Sequence, residues 1–226
     1  MVAGWIRATG QDFKFSLKIP KTVTHDRRLA GVEKEFFDFV DLVQPIAGAG
    51  KLGCLLAQLP PDFTFKQRDR LESFFNMFPK DMHFAAEFRH ESWNREETWD
   101  LLKKYGVANT VTDSPIEFLA RPVVTTLTHS YVRWHGRGRQ VWYDYTYREE
   151  ELHPWLAKLE EMEEKVPVVY AYFNNHYRAG APYNLLQLLE MREELTDFQK
   201  NVKSRAERQK RKKITKLTDF ISRELS

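Results

Sequence analysis

The hydrophobic positions of this chain keep two alternating rhythms. Phe13–Ile19 alternates apolar with polar residues and is closed by Pro20, which predicts a strand. Phe36, Phe39, Val40 and Val43 then fall at i, i+3, i+4 and i+7, one stripe of an amphipathic helix that Pro45, Gly48 and Gly50 are expected to end. The alternation repeats. Apolar runs at Leu52–Leu56, His83–Glu87, Val107–Val111, Tyr131–His135 and Val166–Phe173 predict five further strands. Between them lie helical stripes through Leu71, Phe74, Phe75 and Phe78; through Trp99, Leu101 and Leu102, with Gly106 as the stop; and through Leu152, Trp155, Leu156 and Leu159. A last helix is predicted from Tyr183 to Glu194 with Leu185, Leu188 and Leu189 inward. Six strands alternating with helices predict a parallel sheet with right-handed crossovers.

The polar residues sit where these strands stop. Residues 83–93, HFAAEFRHESW, begin as an apolar run and end in Glu87, Arg89, His90 and Glu91; the runs at 107–111 and 131–135 deliver Asp113, and Arg133 with His135. Parallel α/β folds bind ligands outside the carboxyl ends of their strands, so these residues are the candidate chemistry. Glu87, Asp113 and His135 suit a buried ion-pair network with Arg89 or Arg133, a divalent cation, or metal-free general acid–base catalysis. No HExxH or Cys/His spacing supports a metal, and no cofactor is assigned. Lys18, Arg89, Arg133 and Arg137 can gather an anion, because guanidinium and ammonium groups grip phosphate or carboxylate. His25, after Thr24 in the loop beyond the first strand, is a proton-shuttle candidate. Gln58, Asn174 and Asn175 can donate and accept at once. Tyr143 and Tyr145 are candidate platforms for a flat ligand, whereas Trp134, alternating with Arg133 and His135, belongs on the core side.

Composition adds limits. The 226 residues, 42% of them apolar, can build one large α/β domain or two small ones. Cys54 is the single cysteine and lies in an apolar run, which predicts an inert buried thiol and a reducing, cytoplasmic setting. No charged-then-apolar leader and no apolar run of about 18 residues is present, so no membrane role is expected. The net charge of +3 conceals an asymmetry. Residues 200–226 carry ten basic against three acidic side chains, and the remainder 25 against 29. The basic run Lys200–Lys216 suits contact with nucleic-acid phosphates, with a short amphipathic stretch at Ile214, Leu217 and Ile221.

The segments KIPKTVTH (18–25), LAQLPPDF (56–63), EFRHESW (87–93), TDSP (112–115), YVRWHGR (131–137), the Tyr143/Tyr145 pair and YFNNHYRAGAPYN (172–184) resemble, in order, the signature blocks of the YecE-like proteins, domain of unknown function 72. The resemblance covers roughly residues 5–195. It implies a TIM-barrel-like (β/α) fold with a polar pocket at the carboxyl ends of the strands, and no known reaction. Family members begin with two further strand–helix segments, so the resemblance implies that residues 1–196 form a barrel domain with about six of eight strands, followed by a basic extension over 197–226. Open first and last strands would then be covered by an oligomeric partner or a missing amino-terminal segment. Two functions fit. One is a hydrolase or lyase acting on a small-molecule, sugar or nucleic-acid-derived anionic substrate, with Glu87 or Asp113 as base, His135 as acid, Arg89 and Arg133 as clamp, and Asn174 and Asn175 orienting. The other is a non-catalytic nucleic-acid-binding protein that uses the tail.

Overall fold

The computed structural model describes residues 2–208. Helix α1 (Val2–Ala8) precedes β1 (Phe15–Lys18), α2 (Glu33–Gly48), β2 (Leu52–Gln58), α3 (Arg68–Phe75), β3 (His83–Glu87), α4 (Glu96–Tyr105) and β4 (Val107–Asp113). Then follow β5 (Ser130–Trp134), α5 (Glu149–Glu163), β6 (Val169–Phe173) and α6 (Gly180–Arg192), with a further helix over 197–208. The six strands form one sheet in chain order, β1-β2-β3-β4-β5-β6, with helices between strands in the manner of TIM-barrel (β/α) repeats. The first three pairings are parallel, and the β2–β3 register sets Cys54 beside His83 and Gln58 beside Glu87. A one-residue slip would send those side chains to the other face.

Contacts divide the chain into two units. Of the described residues, the first comprises 2–111, 121–132 and 162–170; the second comprises 112–120, 133–161 and 171–208, and so includes the carboxyl ends of β4, β5 and β6. Aromatic side chains fill the first core: Phe78 stacks on Phe84 at 3.8 Å, and Phe36 meets Phe74 edge-on at 4.9 Å. Cys54 is fully buried in β2, with its backbone N–H donating to Ser16 Oγ. Lys51, just before β2, reaches the carbonyls of Ile6 and Thr9 at 2.7 and 2.8 Å and so caps the end of α1, a helix the pattern did not predict. In the second unit Trp134 is fully buried, edge-on to Trp155 of α5 at 5.0 Å and stacked on Phe173 at 4.5 Å.

Two predicted features are corrected. Helix α2 does not stop at Pro45 but runs through it to Gly48. Proline removes only its own N–H from the ladder, the Asp41 carbonyl opposite it lies on an exposed turn where water serves, and Ile46 beyond it is fully buried. The chain turns at Gly50, whose φ of 67° glycine adopts at little cost. On α6, Leu185 faces solvent at 42% exposure, because the buried stripe runs through Gly180, Asn184 and Leu188 with Leu186 beside it. The apolar run there misled because an asparagine holds the inward position. Among the described residues no helix is long and apolar enough to cross a membrane. The predicted amphipathic stretch at Ile214, Leu217 and Ile221 lies outside the described residues.

Candidate functional site

The carboxyl ends of β1, β2 and β3 gather five of the predicted residues in the first unit. Lys18 ends β1, Gln58 ends β2 and Glu87 ends β3. Glu87 is fully buried, and its Oε1 accepts from Gln58 Nε2 and from Arg89 Nε, both at 2.8 Å. The ion pair with Arg89, one of the alternatives left open by the sequence, is therefore formed, and the carboxylate in turn holds the guanidinium and the amide in place.

His25 sits on one turn of π-helix, Thr22–Asp26, closed by the Arg27 N–H donating to the Thr22 carbonyl at 3.1 Å. Such turns are rare and concentrate at functional sites. Its Nδ1 lies 2.8 Å from Thr24 Oγ1, and the ring is half-buried. Burial lowers its pKa, the charges of Lys18, Lys21 and Arg89 lower it further, and Asp26 opposes them. The imidazole is thus neutral at pH 7 and able to accept a proton. Two more side chains of the EFRHESW stretch are engaged by the protein itself. His90 Nδ1 accepts from the Ser92 N–H at 3.1 Å, and Trp93, 1% exposed, donates to the Phe63 carbonyl at 2.7 Å.

The second unit holds a different construction around Asp113. Its buried carboxylate accepts from Arg137 Nε at 2.7 Å and from Arg137 Nη2, from the Tyr147 hydroxyl at 3.0 Å and from Trp155 Nε1 at 3.0 Å. The Tyr147 hydroxyl also accepts from the Gly136 N–H at 2.8 Å. Burial first, then the Asp113 charge, pushes the Tyr147 phenol far above its ordinary range. Gly136 has φ 88°, and a Cβ there would meet the Trp142 carbonyl oxygen at 2.1 Å, so only glycine fits. Glu151 on α5 accepts from the Tyr145 hydroxyl and, at 2.9 Å, from the Arg148 N–H. Burial first and then this bond push the Tyr145 phenol up to about 12. Although burial opposes it, the Arg148 N–H and the Tyr145 hydroxyl hold Glu151 below the usual carboxylate value.

His135 is buried and its Nδ1 stands 3.2 Å from Asn174 Nδ2, an arrangement that keeps the ring proton on Nε2. Asn175 is fully buried and spends its amide hydrogens on the Tyr145 carbonyl and Asn184 Oδ1 at 2.9 and 2.8 Å, so it supports the loop from within. Asn184 completes that support, accepting from the Tyr147 N–H and donating to the Tyr147 carbonyl at 3.0 and 2.8 Å. Arg133 is half-buried near the end of β5. Tyr143 is 37% exposed and stacks on His176 at 4.9 Å, with Tyr177 at 5.4 Å, while Tyr145 is tied down by Glu151. Of the two predicted platform residues Tyr143 is the more exposed. The loop that carries His176 and Tyr177 continues into Arg178 and Ala179, both left-handed at φ 54° and 58°. Non-glycine residues held there carry strain, which concentrates at functional loops. Among the described residues no three His, Cys, Asp or Glu side chains gather as a metal-holding group.

The sequence reading missed Tyr147, Glu151, Trp155 and Asn184 as partners in this network. Trp155 was legible only as core, and the signal for Asn184 was a polar residue set on the inward stripe of an otherwise apolar helix.

Residues 1–210 match the family described as "Protein of unknown function DUF72". The chain is 29% identical to the UPF0759 protein YunF of Bacillus subtilis over 213 residues, 83% of this chain and 76% of that protein. It is 26% identical to the UPF0759 protein YecE of Escherichia coli over 182 residues, 70% of this chain and 64% of that one. A DUF72 family crystal structure from Thermotoga maritima is similar with a TM-score of 0.77 and 35% identity, covering 85% of this chain and 78% of its own. A second, from Enterococcus faecalis, has the same TM-score at 22% identity, covering 87% and 80%, a likeness of fold alone.

Proposed function

We propose, for a chain that belongs to the DUF72 family of proteins of unknown function, that it is a cytoplasmic hydrolase or lyase holding an anionic substrate at the carboxyl ends of β1–β3. The observation that carries this reading is the convergence of Lys18, His25, Gln58, Glu87 and Arg89, with a half-buried imidazole that registers a cationic surround. Lys18 and Arg89 meet the negative charge of a phosphorylated, sugar-acid or nucleic-acid-derived substrate. Glu87 fixes Arg89 and Gln58. His25, neutral at pH 7, takes or returns the proton, a role worth about 10²–10⁴ in rate. Asp113, saturated by four donors, positions Arg137 rather than acting as base. His135, with Asn174 on its Nδ1, is a second proton-transfer candidate in the other unit.

The test is a panel of phosphate monoesters, phosphodiesters and sugar acids, followed for product release. Turnover should fall about 100-fold or more in His25→Gln with binding kept, and binding should fall in Arg89→Ala. Turnover that survives His25→Gln unchanged would refute the assignment. A second reading, attachment to nucleic acid through Lys200–Lys216, is supported by the charge of that run. Within it, Lys200 and Lys203 already pair with Glu194 and Glu190. Binding of duplex DNA that weakens steeply with salt and is lost on truncation at residue 199 would support this reading; salt-independent binding would not.

A further inference from the structure

At the amino-terminal ends of β3, β4 and β5 the first unit contains a cavity of about 450 Å³. His83, the first residue of β3, and His129, just before β5, form one wall as two stacked imidazoles, 4.2 Å between centres and 8° from parallel. Both rings are fixed from behind. His83 Nδ1 lies 3.1 Å from the Tyr170 hydroxyl; His129 Nε2 donates to the Phe84 carbonyl at 2.9 Å and its Nδ1 faces Thr128 Oγ1 at 2.9 Å. Burial lowers both pKa values, His129 to about 4, so at pH 7 the pair presents a flat, uncharged polar surface.

Charge comes from the rest of the lining, where Lys80, Lys103 and Lys104 outnumber Asp81. Lys103 pairs with exposed Asp100 and Lys104 with half-buried Glu72, while Lys80 has no ion-pair partner among the described residues. A second cavity of about 510 Å³ shares Lys103, Gly106 and Thr128 with the first and is lined mainly by apolar atoms, Val124 and Leu127 among them. Leu127 is 88% exposed. A polar, cation-lined cavity therefore adjoins an apolar one.

We propose that these joined cavities form a binding site for a small amphiphilic anion, a carboxylate or phosphate headgroup on an apolar body. The headgroup lies between the imidazole wall and Lys80 and Lys103, and the apolar body covers Val124 and Leu127. The site is independent of the one assigned to His25 and Glu87, because it occupies the other ends of the strands, and it is tested by binding alone. Although His129 is buried, both rings belong to the lining of a cavity that three lysines also line.

Isothermal titration of the full chain with decanoate, decyl phosphate and decanol, each kept below its micelle concentration, tests the proposal. Saturable 1:1 binding of at least one anion, at least tenfold tighter than decanol, is expected, and the tighter anion identifies the headgroup. The double variant Lys80→Met/Lys103→Met should weaken the anions about tenfold and leave decanol unchanged, while Leu127→Asp should weaken all three. Both changes are at exposed rims, and an unchanged thermal unfolding midpoint confirms that each variant folds. No binding of any probe, decanol binding as tightly as the anions, or anion binding untouched by both variants would overturn the proposal.

Discussion

Two carboxylates end neighbouring strands of this protein, and their surroundings differ in kind. Asp113 in the second unit accepts four hydrogen bonds from Arg137, Tyr147 and Trp155, so its charge is consumed by the fold. Glu87 in the first unit orders Gln58 and Arg89, and the Lys18, Lys21 and Arg89 charges still outweigh Asp26 at His25. A strand-end acid is thus not a catalytic signal in itself. The two clusters differ in what lies beside the acid: the Tyr147 and Trp155 donors at Asp113, and near Glu87 the cationic side chains that act on His25.

The strongest way to break this comparison is Asp113→Ala. Removing the carboxylate strands the buried Tyr147 and Trp155 donors, while half-exposed Arg137 turns to water, and costs about 2–4 kcal/mol. A urea unfolding curve in which the midpoint barely moves would dissolve the distinction. Tyr147→Phe removes one bond to Asp113 and the acceptor of the Gly136 N–H, and should cost about 1–3 kcal/mol by the same measurement.

The other side is sharpened by titrating His25. Its folded pKa lies below the ordinary 6.5, so between those two values the unfolded chain holds the extra proton. Stability from this group is complete above 6.5 and is lost as pH falls through the lowered value. An NMR titration should give a His25 midpoint below 6.5 that climbs in Lys18→Met and in Arg89→Ala; a midpoint indifferent to both would remove the cationic field from the argument. Smallest of all, Lys18→Met should change stability by no more than about 0.5 kcal/mol, as exposed substitutions do, while lowering anion affinity. A large stability loss there would make Lys18 scaffold as well.

Much of this architecture could be read from the chain alone. Alternation at Phe13–Ile19 and five apolar runs set between helical stripes located all six strands, and Gly106, with φ 64°, ends α4 where the pattern placed it. Trp134 could be assigned to the core from alternation alone. Pro45 and Leu185 show where local rules fail. Burial of Ile46 holds α2 together across a residue that ordinarily breaks helices, and the hydrogen bonds of Asn184 outrank the apolar character of its neighbour. The strand-end residues Lys18, Gln58 and Glu87 were legible because strand ends are; Arg89 followed because a buried carboxylate needs a partner. The contrast between the two strand-end clusters was not legible. It depends on Tyr147, Trp155 and Asn184, which approach from loops and helices tens of residues away, and sequence spacing carries no record of such approaches.

The single cysteine gives the molecule a clock. Cys54 is fully enclosed in β2, between β1 and β3, and burial holds its thiol well above the ordinary range, so no reagent meets a thiolate while the strands stay closed. The rate at which a disulfide reagent such as dithiobis(nitrobenzoate) marks the native protein therefore counts openings of the sheet at β2, one colour change per chain, with no label to introduce and no second site to subtract.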